Sequence, residues 1–481
     1  MMRPFEVFTL TACLLAFLVL AIPQLRWTEW AQYLVLIALL VTIVQLIVER
    51  PRWQMTPAYA LSGIFCLALL LMQRPPGLME PYFSSKIAQK VLVSSGLVSL
   101  LVASALPIIF PVFGFPSPGG DYPIGTLTFH WSDADRKSHF GVDLNNQHEL
   151  MVQIWYPAEE VASPVYEPYV RDPAIFASLA RLLHLPTPLF SHLKFVTTHA
   201  MQAAPVANKE PGYPVLLFLS GRGGYRQSNM FQVEELVSHG YIVVAIDQPY
   251  VASGVLFPDG RLITMDPRLY DPDNPGHAAF LDEVLPFIAQ DVSFILDQLV
   301  SLNQADPNNI LTGRLDLQQA GIFGVSLGGI VASEACRLEA RLHACLILDA
   351  FMPANVVESG LPAPTMWISR DAETMRQEGW AEADIDETQS TMHAVFSSLP
   401  VEGYLLSVPG LFHTDFSDAP LFTPLSSMMR LSGSHTVRRS HNIINAYTLA
   451  FFERHLRNRA DTLLDSPSEQ FPEAYLEIHI P

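Results

Sequence analysis

The chain has 481 residues, half of them hydrophobic, with a mean hydropathy of +0.25 and a net charge of −19. That length accommodates one large domain and a second, smaller region. Residues 1–113 carry seven Lys/Arg against four Glu, a balance of +3, so −22 falls on the remainder, which is ill suited to neutralising phosphates and argues against nucleic acid as a partner.

Four uncharged apolar runs occupy the first quarter: Val7–Ile22, Trp30–Val48, Thr56–Met72 and Val91–Phe113. At 1.5 Å of rise per residue each is about long enough to cross a hydrocarbon core some 30 Å thick. Residues 1–113 therefore read as an all-α transmembrane anchor of about four helices, making the protein integral and multi-pass. The first run is short and follows Arg3, as in a signal peptide, but no small-x-small cleavage site follows it and three more runs do. Arg3, Arg50 and Arg52 would lie on one side and Arg26, Arg74, Lys86 and Lys90 on the other, so the positive-inside rule leaves the side of the following domain open. The spans read as free of ionisable residues, which disfavours a transporter or channel.

The run Phe113-Gly114-Phe115-Pro116-Ser117-Pro118-Gly119-Gly120 breaks any helix and marks a linker. Beyond it, residues 114–481 alternate short β-branched runs with longer amphipathic stretches, the pattern of an α/β domain with a mostly parallel sheet flanked by helices. Predicted strands are Leu150–Tyr156, Val215–Leu219, Ile242–Asp247, Gly321–Val325, Ala344–Leu348, Thr365–Ser369 and Gly403–Val408. Predicted helices are Ser228–His239, Phe280–Leu302, Leu327–Leu338, Ala372–Ser397 and Asn442–Leu456. Val251–Ala279 is irregular and rich in Pro, Asp and Gly, long enough to be a lid or a binding loop, or simply a solvated excursion. Four cysteines make no disulfide framework, and none has the Cys/His spacing of a zinc site, so neither metal nor cofactor is expected.

Gly324-Val325-Ser326-Leu327-Gly328 fits G-x-S-x-G between a predicted strand and a predicted helix, the setting of a nucleophile elbow. Ser326 is the candidate nucleophile. A serine hydroxyl needs a base, and among fifteen histidines His413 is best placed, in the loop Pro409-Gly410-Leu411-Phe412-His413 past the last predicted strand. His343, His435 and His441 rank below it. A carboxylate must orient the imidazole, and two compete: Asp349 ends the strand Ala344–Leu348, and Asp371 follows the next. Arg370 and Glu373 make the surroundings of Asp371 look solvated. An oxyanion hole would use the backbone N–H of Leu327 and one from Ser220-Gly221-Arg222-Gly223-Gly224, for which Arg222 is the candidate.

Several separated pieces, in matching order from about Met151 to Leu456, resemble the platelet-activating-factor acetylhydrolase family of α/β-hydrolase fold. They include Val152-Gln153-Ile154-Trp155-Tyr156-Pro157, Phe218-Leu219-Ser220-Gly221-Arg222-Gly223-Gly224-Tyr225-Arg226, and Ser238-His239-Gly240-Tyr241-Ile242-Val243. The elbow, Leu348-Asp349-Ala350-Phe351-Met352, Phe412-His413-Thr414-Asp415-Phe416 and Leu449-Ala450-Phe451-Phe452-Glu453-Arg454-His455-Leu456 complete them. The resemblance implies that Asp349 is the triad acid, with Asp371 the alternative, that no metal is used, and that the substrate is a short or oxidised acyl ester of a phospholipid. This chain departs from the family at Ser220, where the family has His, at Arg222, where it has Leu, and in its apolar N-terminal quarter.

The reading is a membrane-tethered serine ester hydrolase whose partners are the membrane and an ester or phospholipid substrate. Its rivals are a carboxylesterase for small esters, an amide hydrolase, and a catalytically silent, membrane-bound binding module. Acyl chain, head group and oligomeric state are not legible.

Overall fold

The computed structural model describes residues 2–26, 28, 30–72, 86–139, 147–269, 277–466 and 468–481. Arg74, used above in counting charges, and residues 270–276 of the irregular segment lie outside them. The chain divides into two compact units, one comprising Met1–Gly114, Ser191–Val196 and Phe422–Leu425, the other comprising the rest. Those two short later segments belong with the first unit rather than with the domain drawn above over 114–481. Within that unit, Phe113 stacks on Phe422 at 5.9 Å and His192 meets the ring of Phe110 edge-on at 6.1 Å.

The first unit is helical: α1 (Pro4–Ala21), α2 (Ala31–Val48), α3 (Thr56–Met72) and α4 (Lys86–Ile109). α1, α2, α4 and the segment Trp53–Leu71, which takes in most of α3, are long and apolar enough to cross a membrane by length and composition. Their buried seams are built from small side chains such as Cys13, Ala16, Ala38, Ala58 and Ala103, while Leu36, Leu40, Ile47, Leu67, Val98 and Leu101 face outward. The interior also takes larger groups, among them Phe17, Leu61, Phe65 and Leu100, so the exposed surface and the interior are both apolar. Ser62 Oγ joins Cys13 Sγ at 3.1 Å and Thr42 Oγ1 at 2.7 Å, a polar contact among three helices. The first helix begins at Pro4, ahead of the run Val7–Ile22, and so takes in Glu6, which is fully buried and accepts from Arg52 Nε at 2.6 Å and Nη2 at 2.7 Å. The pairing explains how a carboxylate is tolerated in the first turn of such a helix, since an unpaired buried charge would cost several kcal/mol.

The second unit is built on an eleven-stranded sheet. Its strands are β1 (Ile124–Lys137), β2 (Gln147–Pro157), β3 (Tyr166–Pro168), β4 (Thr197–Gln202), β5 (Tyr213–Leu219) and β6 (Ile242–Asp247). After a separate hairpin, β7 (Gly254–Leu256) and β8 (Leu262–Thr264), come β9 (Leu315–Val325), β10 (Leu342–Leu348), β11 (Thr365–Ser369), β12 (Gly403–Ser407) and β13 (Tyr475–His479). The order is β13-β12-β11-β10-β9-β5-β6-β2-β1-β4-β3. The six central strands, β12 to β6, are parallel, with antiparallel partners outside them. Every residue of β5 and β6 is buried, the signature of strands covered on both faces.

The helices covering the sheet include α5 (Pro173–Leu182), α6 (Met230–Ser238), α7 (His277–Gln304), α8 (Leu327–Leu338), α9 (Ala354–Ser359), α10 (Ala372–Glu378), α11 (Glu382–Ser397) and α12 (Val437–Arg457). Most of α7, Phe280–Gln304, also has the length and composition of a span, yet Val284, Ile288, Val292, Ile295 and Leu299 are buried in the core of the sheet domain. Two sequence expectations change. The helix expected over Ala372–Ser397 is broken: Gly379 caps α10 at φ 100°, a left-handed conformation that glycine adopts without strain, and α11 starts anew at Glu382. The irregular Val251–Ala279 contains the β7/β8 hairpin and the start of α7.

Candidate active site

The buried strand β9 runs into Ser326, which adopts φ 54° and ψ −125° before α8 begins. A non-glycine residue at positive φ is strained and persists only where its surroundings hold it. Here the Ser326 N–H donates to Leu348 O at 2.9 Å, and its carbonyl accepts from Gly329 and Ile330 N–H at 2.8 and 3.1 Å. The flanking glycines are required by space. A Cβ on Gly324 would lie 2.2 Å from Gly328 O, and one on Gly328 would lie 2.1 Å from Leu219 O.

The loop after β5 lies directly beside this turn, since a Cβ on Gly221 would sit 3.3 Å from Ser326 Cβ. Gly223 N–H is committed to Val251 O at 3.2 Å and Gly224 N–H to Gly221 O at 2.8 Å. The N–H groups of Arg222 and Leu327, by contrast, have no acceptor among the described residues. The far end of the loop is braced by Arg226, whose N–H and Nη1 reach the buried Asp247 at 2.6 and 2.5 Å.

Asp349 follows β10 at φ 47°, its N–H bonded to Ile368 O at 2.9 Å and its side chain fully buried. Its carboxylate accepts from His413 Nδ1 at 2.5 Å, Ser369 Oγ at 3.0 Å and Arg370 Nε at 3.1 Å. Burial alone would raise the carboxyl, but the Arg370 guanidinium, with His413 and Ser369, outweighs it and holds the group down at about 2. His413 opens a short 3-10 turn, His413–Phe416, anchored by Asp415, which accepts from Phe412 N–H at 2.8 Å, Ser432 Oγ at 2.6 Å and Gly433 N–H at 2.9 Å. In the neutral tautomer that donates Nδ1–H to Asp349, Nε2 is left as the acceptor, and it has no partner among the described residues.

Thus the structure joins His413 to Asp349 and not to Asp371. Asp371 instead caps α10, accepting from the N–H and hydroxyl of Thr374. His343 is exposed at the opposite end of β10. His435 bonds to Pro409 O at 2.9 Å, and His441 stacks on Phe231 at 3.7 Å, its imidazole driven down to about 4 by burial. Among the described residues no group of three or more His, Cys, Asp or Glu is arranged to hold a metal.

Sequence reasoning took Arg370 for part of a solvated stretch, yet its side chain is completely buried against Asp349. The register gives the reason: Leu348 pairs with Ile368, so the residues just past β10 and β11 emerge side by side. Trp380, freed by the break at Gly379, lies 4.4 Å from the guanidinium and meets the His413 ring edge-on at 5.3 Å. Glu378 accepts from His413 N–H at 3.1 Å and pairs with Arg370.

The strained elbow, the parallel sheet and the joined His–Asp pair agree with the result of comparison: the profile of the alpha/beta hydrolase family matches residues 216–474. The chain belongs to this family. Among curated proteins, this alpha/beta hydrolase is 23% identical over 411 residues to a probable 1-alkyl-2-acetylglycerophosphocholine esterase of Arthroderma benhamiae, covering 80% of this chain and 99% of that one. It is also 23% identical over 416 residues to platelet-activating factor acetylhydrolase of Cavia porcellus, covering 82% and 89%. Among solved structures, a ferulic acid esterase from Streptomyces cinnamoneus superposes with a TM-score of 0.61 at 28% identity, over 76% of this chain and 99% of that one. By this likeness the alpha/beta hydrolase is a carboxylic ester hydrolase similar to the platelet-activating factor acetylhydrolases.

Proposed function

We propose that the protein is a membrane-tethered serine hydrolase acting on phospholipid-like or other acyl esters. Ser326 Oγ attacks the ester carbonyl as His413 Nε2 takes its proton, and the oxyanion receives the N–H groups of Leu327 and Arg222. Collapse expels the alcohol, protonated by His413, and leaves an acyl-serine. Water then adds with His413 again as base, and the carboxylic acid departs. Asp349 holds the His413 tautomer that this sequence needs.

The observation that carries the reading is the 2.5 Å His413–Asp349 contact at the strand ends where Ser326 is held at φ 54°. The tether is supported by four apolar helices that leave large apolar side chains such as Leu36, Leu40, Ile47, Leu67, Val98 and Leu101 exposed. Location beside a bilayer favours amphiphilic esters, and the names of the curated relatives point to the same substrate class.

The test is hydrolysis by the full chain in nanodiscs, over graded acyl chains from 4-nitrophenyl acetate to short- and long-chain phosphatidylcholines, beside Ser326→Ala. Ester cleavage lost in the variant, with phospholipids preferred, supports the proposal. Cleavage of small soluble esters alone would favour a carboxylesterase, and preferred anilide cleavage an amidase. Turnover equal in the variant would refute Ser326 as nucleophile, and no turnover at all would leave a binding module.

A further inference from the structure

The carboxylate that orients His413 does not face the imidazole alone. Arg370 Nε lies 3.1 Å from Asp349 Oδ2 and 3.3 Å from Oδ1, with the guanidinium fully buried. On its other side Arg370 pairs with Glu378, whose second oxygen receives the His413 N–H at 3.1 Å. Trp380 lies over the guanidinium at 4.4 Å and meets the His413 ring edge-to-face at 5.3 Å.

We propose that Arg370 is a positioning residue that sets the pH range of catalysis, by offsetting the negative charge that Asp349 and Glu378 present to His413. The inference rests on His413 being the catalytic base. With His413 neutral, the cluster of Asp349, Glu378 and Arg370 carries one net negative charge. Without Arg370 it would carry two, and a proton on His413 would be held more tightly. A buried, desolvated cation screens little to bulk water, so its effect on the neighbouring imidazole is large.

The other charged groups around His413 are committed elsewhere. Asp371 caps α10, and Asp415 is bonded to Phe412 N–H, Ser432 and Gly433. On the remaining packed elements, His435 bonds to Pro409 O, His441 of α12 bonds to Ser417 O, and Arg439 pairs with Glu473. Arg370 is thus the cation in direct contact with the His413–Asp349 pair. It also has a mechanical share, because Gln389 Nε2 donates to its carbonyl at 3.0 Å and fixes the turn after β11.

The experiment compares wild type, Arg370→Met, Arg370→Lys and Glu378→Gln as full chains in nanodiscs. Two readouts are taken: kcat/KM for 4-nitrophenyl acetate from pH 4.5 to 9, and imidazole titration by NMR of histidine-labelled protein, the His413 signal being assigned by its loss in His413→Gln. In Arg370→Met the acidic limb and the His413 titration should both move up by about one pH unit or more. Arg370→Lys, which keeps the charge, should return both toward wild type, and Glu378→Gln should move both down.

A purely structural arginine would lower kcat without moving either midpoint. Titration of His413 unchanged in a folded Arg370→Met overturns the proposal. Should Arg370→Met not fold, an unmoved titration in Glu378→Gln overturns it instead. If the His413 titration moves and the kinetic limb does not, the assignment of His413 as base fails and the claim on the pH range falls with it, whereas an unmoved titration in an active enzyme overturns the role of Arg370 alone, so the two failures are separable.

Discussion

Replacing Asp349 with asparagine removes one charge while keeping the shape of the side chain, and three consequences can be worked from its contacts. His413 Nδ1 donates to this carboxylate at 2.5 Å. An amide turned with its NH2 toward the ring would donate instead, placing the ring proton on Nε2, where it cannot accept from Ser326. Loss of the correct tautomer costs about 10⁴ in kcat, roughly 5.4 kcal/mol of barrier. Stability also falls, because the fully buried Arg370 loses one of its two carboxylates; breaking such a pair costs about 3–5 kcal/mol, and the remaining Glu378 contact puts the expectation at the lower end. Finally, the Asp349 carboxyl is held at about 2, below its ordinary value near 3.8, so it contributes about 2–3 kcal/mol that is fully present above the unfolded value and is lost as pH falls through about 2. The variant should lack that part of the acid dependence. The assay is single-turnover ester cleavage with urea denaturation, beside Asp371→Ala, which removes the α10 cap and should cost about 0.5–2 kcal/mol of stability with little change in rate. A kcat for Asp349→Asn within tenfold of wild type, or a larger rate loss in Asp371→Ala, refutes the reasoning.

Two further outcomes are expected. Gly328→Ala would bring a methyl within 2.1 Å of Leu219 O and 2.6 Å of Ser220 O, so the backbone of the oxyanion loop must move. A rate loss on the order of 10²–10³ follows, as for loss of one oxyanion donor, with about 1–3 kcal/mol of stability; kcat within threefold of wild type would show that the loop does not serve the site. His441 is buried with its imidazole held near 4, below its ordinary 6.5, so protonation favours the unfolded chain. Its contribution, up to about 3 kcal/mol, is present above pH 6.5 and lost as pH falls through about 4. Urea midpoints at pH 7.5 and 5 should converge in His441→Gln relative to wild type, and equal pH slopes in the two proteins would contradict this.

The strands that carry the site were legible because they are buried on both faces. Ile242–Asp247 and Thr365–Ser369 are apolar runs bounded by polar or turn residues, and the structure reproduces both to the residue. What escaped was built from weaker local signals. Ile124–Lys137 is buried over its first four residues and, beyond them, only at Asp133, and it includes Ser132, Asp133, Asp135 and Arg136, so its pairing with β2 rather than its composition makes it a strand. β13, mostly exposed at the sheet edge, is held by antiparallel pairing to β12 in the same way.

The site divides along a similar line. Ser326 and its glycines announce themselves because the turn is too crowded for larger neighbours, and His413 because it stands in the loop immediately after the predicted strand Gly403–Val408. Arg370 and Trp380 gave no comparable signal: an arginine beside Asp371 and Glu373 reads as solvated until the register of β10 and β11 sets it against Asp349. Trp380 reads as a position inside a helix until Gly379, at φ 100°, ends α10 and turns the ring toward His413. Local sequence therefore specifies the proposed reacting groups, while the groups that surround them come from strand register and one helix break.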